Sequence, residues 1–143
     1  MSLLLLFNSP LPWHAELLRT AATLSHDGHH EIAVVTSVMA CETAVERAFA
    51  HHFEKRGFTT IRDSVEAFFP SYNLANERIR TLYVALSGDP IHECAFWPRL
   101  KQAIAVRNRI THEGARASSE EAAAAVAVAT EFVEHIARVI SPR

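Results

Sequence analysis

Arg107, Asn108 and His112 stand in Val106-Arg107-Asn108-Arg109-Ile110-Thr111-His112-Glu113-Gly114, an R-N-x-x-x-H spacing that puts three chemically useful groups within two helical turns. A guanidinium grips a phosphate as a planar bidentate fork, and an imidazole exchanges a proton near neutral pH. A carboxamide orients either of them. Together they are a minimal kit for cutting a phosphodiester. On an ideal helix residues four apart project roughly 40° from each other and residues five apart roughly 140°. Asn108 and His112 therefore share a face, and Arg107 reaches round by its long stem or by a loosened last turn before Gly114. The alternative reading makes Arg107 and Arg109 solvated helix arginines and His112 a cation favoured at a helix C-terminus. Against it stand Glu42 and Glu46, acids on or beside the apolar stripe of an earlier helix, where a carboxylate needs a partner. Arg107 is a natural partner for these acids.

The elements that must position these groups are helical. Regular helix is expected after Pro12, with Trp13, Leu17, Leu18, Ala21 and Leu24 at helical spacing, up to Ser25-His26-Asp27-Gly28. A long second helix spans about residues 29–56, its buried stripe drawn by Ile32, Val35, Val38, Met39, Val45, Phe49 and Phe53 and widened by Val34, Cys41 and Ala48. Residues 58–71 read as irregular, with a helical turn around 63–69, and a modest helix follows over 76–86. The motif helix covers 95–112, with Pro98 tolerated in its first turn. Ser118 and Glu121 form a capping box for a last helix that buries Ala125, Ala129, Phe132, Val133, Ile136 and Ile140. The expectation is an all-α fold, a four- to five-helix bundle in a single domain over 1–143, with an irregular segment between the long second helix and the motif helix.

Composition narrows the function. A chain of 143 residues, 49% apolar, can bury a continuous core. A formal charge of −2 argues against coating nucleic acid by charge alone. Between residues 78 and 116, however, seven basic side chains face three acidic ones, a weak basic surface around the motif. Cys41 and Cys94 form no paired motif, and Cys41 reads as a small buried hydrophobe. Leu3–Phe7 lacks a basic n-region and falls far below the ~20 apolar residues of a membrane span. We expect it to be an edge or packing segment of a cytoplasmic protein that does not enter a membrane. His26, His29, His30, His51 and His52 form two clusters without a completing cysteine or carboxylate pair, so they read as solvated histidines near helix ends and not as a metal site. No cofactor loop or hydrolase nucleophile is present. The phenylalanines and tryptophans, among them Trp13, Phe58 and Phe68, read as core or dimer contacts, leaving Tyr72 and Tyr83 as the better base-stacking candidates.

Residues 34–46, Val34 to Glu46, resemble the long helix of a HEPN domain, with an acid amid small and apolar side chains. Residues 100–114, Leu100 to Gly114, resemble that family's R-N-x-x-x-H helix. The resemblance extends over roughly 13–140, with 58–95 unaccounted for. It implies a HEPN-like helical bundle and a homodimer in which two motif helices face one cleft. It further implies a metal-independent endoribonuclease acting as a toxin or antiviral effector, with Arg107, Asn108 and His112 at the catalytic positions and Glu42 as the supporting acid. RNA and a cognate antitoxin protein would be its partners. The alternative is a non-catalytic HEPN-like dimeric module that binds a protein, a nucleotide or RNA.

Overall fold

The longest element, His30–Lys55, is also the central one, and it is built from small residues where its neighbours come closest. In the computed structural model, which describes residues 12–141, it is flanked by α1 (Trp13–His26) and α6 (Ser119–Ile140), with α5 (Trp97–Glu113) packing on both α2 (His30–Lys55) and α6. Two shorter helices, α3 (Thr59–Glu66) and α4 (Glu77–Ser87), lean on the C-terminal half of α2. A single 3-10 turn at Ile91–Glu93 precedes α5. The Leu3–Phe7 segment lies outside the described residues. No helix among those described is long and apolar enough to cross a membrane.

The fold is all-α, with six helices and no strand among the described residues, one helix more than the four to five expected. The extra one is α3. Its Thr59-Thr60-Ile61 start is β-branched and low in helix propensity. Contact with α2 and an i,i+4 pair, Arg62 Nε donating to Glu66 Oε2 at 2.8 Å, hold it nonetheless.

The buried face of α2 also differs from the expected stripe. Ala33, Val34, Ser37, Val38, Cys41, Ala44, Val45, Ala48, Phe49 and Phe53 are buried, whereas Ile32 and Met39 are 57% and 43% exposed and Val35 is half-buried. The alanines decide this: their short side chains let α1 and α6 approach closely, so the helix turns its small-residue face inward. Ile32, Val35, Met39, Glu42 and Glu46 then follow one another at heptad a/d spacing along an uncovered seam. Trp13, Phe58 and Phe68 are likewise exposed and not part of the core. Phe49, Tyr83, Leu100, Phe132 and Ile136 are among its largest fully buried side chains.

The two ends of α5 are fixed by local chemistry. Pro98 sits in its first turn, where no amide hydrogen is needed. Gly114 closes it at φ 65°, ψ 25°, a left-handed conformation that glycine adopts without steric cost, while its N–H caps Ile110 O at 3.1 Å. α6 opens on the capping box read in the sequence: Ser118 Oγ accepts from Glu121 N, and Glu121 Oε1 accepts from Ser118 N, both at 3.0 Å.

Candidate functional site

Arg107 leaves α5 toward α2 and is held from two sides. Its Nη1 donates to Glu42 Oε1 at 3.0 Å, and its Nε donates to Asn108 Oδ1 at 2.9 Å. Both members of the ion pair are largely shielded, with side-chain exposures of 17% for Arg107 and 26% for Glu42. A guanidinium has five N–H donors. With one used on each partner, three remain. The bond to Arg107 also fixes the Asn108 amide with its oxygen toward the guanidinium. Arg107 thus extends from its own side of α5 to the carboxylate of α2, with Asn108 as its second partner.

His112 lies one turn beyond Asn108 on the same helical face and is exposed, as is Asn108. It makes no hydrogen bond or ion pair with another described side chain. Thr111, between them, turns its hydroxyl back onto Arg107 O at 3.0 Å. The structure therefore joins Arg107, Asn108 and Glu42 by direct contacts and leaves His112 adjacent but unattached. Glu46, one turn past Glu42, is exposed. A crevice beside Glu42 is lined by Tyr72, Asn73, Leu100 and Ile104. Burial and the nearby Glu66 and Glu46 push the Tyr72 phenol up to about 12, so it stays a neutral group through the physiological range.

A second polar cluster, which the sequence analysis did not find, sits near the start of α5. Asp89 Oδ2 accepts from Tyr83 Oη at 2.6 Å and from His135 Nε2 at 2.8 Å. Cys94 Sγ lies 3.9 Å from both ring nitrogens of His135. Equal distances to the two nitrogens leave the sulfur in line with neither lone pair. Burial, then Asp89, pushes the Cys94 thiol up, which disfavours the thiolate. This is a clasp between the 88–94 loop and α6, not a nucleophile–base pair. It joins residues 46 positions apart, and no local pattern announces it.

His52 also departs from expectation. It is buried, 5% exposed, with its ring edge to face with Tyr83 at 6.2 Å and its Nε2 without a hydrogen-bond partner among the described residues. Burial lowers its pKa, helped by the neighbouring charges of His51, Lys55 and Arg56. No group of three or more metal-ligating side chains converges among the described residues.

Comparison of the chain with protein-family models, with curated proteins and with solved structures finds no match in any of the three.

Proposed function

We propose that the chain is a metal-independent endoribonuclease of the HEPN type, working as a homodimer. One observation carries the reading: an arginine locked between a half-buried carboxylate on a neighbouring helix and the adjacent asparagine, with a solvent-open histidine one turn on. In this reading the scissile phosphate sits against the free N–H groups of Arg107 and the Asn108 amide. The 2′-hydroxyl oxygen attacks the adjacent phosphorus, its proton leaves to an imidazole, and the bond to the 5′-oxygen breaks with proton return from an imidazole. The products are a 2′,3′-cyclic phosphate and a 5′-hydroxyl. A dimer brings two copies of His112, so one can act as base and the other as acid. Glu42 acts through Arg107 as a positioning residue. In a cell, such an activity suits a toxin or antiviral effector restrained by an antitoxin protein.

The test is cleavage of a labelled RNA by the purified chain in the presence of chelator. Cyclic-phosphate ends are expected, and His112→Ala is expected to lower turnover by ~10²–10⁴-fold, the usual worth of a positioned acid or base. A linear 3′-hydroxyl product, or undiminished cleavage by the variant, sinks the reading. A second reading, a non-catalytic dimeric interaction module, draws support from the uncovered seam of Ile32, Val35 and Met39. It predicts a dimer whose properties are indifferent to His112.

A further inference from the structure

We infer that Lys101 is a substrate-positioning residue that holds a backbone phosphate of single-stranded RNA three to five nucleotides from the scissile bond. The inference rests on the nuclease reading and extends it to the path of the strand. α5 carries four permanent cations, and three are engaged: Arg99 with Glu131, Arg107 with Glu42 and Arg109 with Glu121. Lys101 is exposed and pairs with no carboxylate among the described residues. It therefore presents an uncompensated charge in a helix whose other cations are partly neutralised.

Its register matters as much as its charge. Lys101, Ala105, Asn108 and His112 fall at i, i+4, i+7 and i+11, within an arc of roughly 60° on an α-helix. No acidic residue lies on that stripe, and Ala105 leaves its middle low. Lys101 stands about 10 Å from Asn108 and about 16 Å from His112 along the axis at ~1.5 Å per residue. At the ~3.4 Å per nucleotide of a stacked strand, that separation spans about three to five nucleotides. A lysine ammonium, a compact point charge on a flexible stem, suits a phosphate whose exact position varies with sequence.

The full-length chain carrying His112→Ala, which leaves RNA uncut, is titrated with fluorescently labelled oligoribonucleotides of three and ten nucleotides over a range of salt. Adding Lys101→Met is expected to reduce the salt slope of ten-nucleotide binding by about 0.7, one phosphate contact on a single strand. It should also shrink the affinity advantage of the longer oligomer over the shorter. Lys55→Met, the same charge change in the exposed last turn of α2, is the control and should leave the slope alone. An unaltered slope with Lys101→Met, an equal change with Lys55→Met, or no binding by the His112→Ala chain overturns the inference. Failure of the nuclease reading is seen separately, as cleavage that persists without His112.

Discussion

At the scale of single residues, burial of titratable groups decides more than their presence in a motif. His52 is held neutral in the core, so its folded-state pKa lies below the ~6.5 of an unfolded histidine. Between those two values the unfolded chain binds the extra proton, and stability falls as pH falls. The contribution of His52 is thus complete above about pH 7 and is lost on acidification below ~6.5. We expect His52→Phe to flatten the decline in melting temperature between pH 7 and pH 5, as read by circular dichroism; an unchanged slope would refute the assignment. Asp89 makes the opposite case, a buried carboxylate satisfied by two donors. Asp89→Ala strands Tyr83 Oη and His135 Nε2 and should cost about 2–4 kcal/mol in denaturant unfolding. Combined with Tyr83→Phe the loss should be smaller than the sum, because the two share one bond.

Among the elements, α5 has the most direct bearing on the proposed chemistry, because its last two turns carry Asn108 and His112 and its end is fixed by Gly114. A Cβ at Gly114 would meet nothing within 4 Å, so replacing it tests backbone conformation alone. Gly114→Ala should destabilise the chain by about 1–2 kcal/mol, the cost of placing an L-residue in the left-handed region. Its effect on RNA cleavage should exceed what the stability loss explains, since the strain is relieved by fraying the turn that bears His112. Cleavage at the wild-type rate under conditions where the variant is fully folded would show that this turn does not position the histidine. The start of α6 offers a comparison of similar size: Ser118→Ala removes half of the capping box, at about 1 kcal/mol, and leaves the Gly114 end of α5 as it is.

For the molecule as a whole, the face of α2 that carries Ile32, Val35 and Met39 runs directly into Glu42, and through it to Arg107. A second copy covering this seam would bury apolar surface beside the candidate site. Ile32→Glu with Met39→Glu is expected to convert a dimer into a monomer by sedimentation, with helix content unchanged, and to abolish RNA cleavage along with it. A wild-type chain that sediments as a monomer at high concentration removes the dimeric site from consideration.

Much of this was legible in the sequence, and the exceptions share one cause. Helical periodicity, Pro98, Gly114 and the Ser118/Glu121 box determined the positions of α1, α2, α5 and α6, because those signals act within a few residues of the backbone they shape. The side-by-side placement of Asn108 and His112 follows from helix geometry alone. The sequence also suggested an acid of α2, Glu42 or Glu46, as the partner of Arg107, from the cost of leaving a carboxylate unpaired, and the fold chose Glu42. Tertiary contact decided the rest. Apolar periodicity says how wide a helix face is but not which neighbours reach it, so Ile32 and Met39 were misassigned to the core. The inward side of α2 was set by alanines, whose value lies in the closeness of approach they permit. The Tyr83–Asp89–His135 clasp and the burial of His52 depend on residues far apart in the chain coming together, and no short-range spacing encodes that meeting.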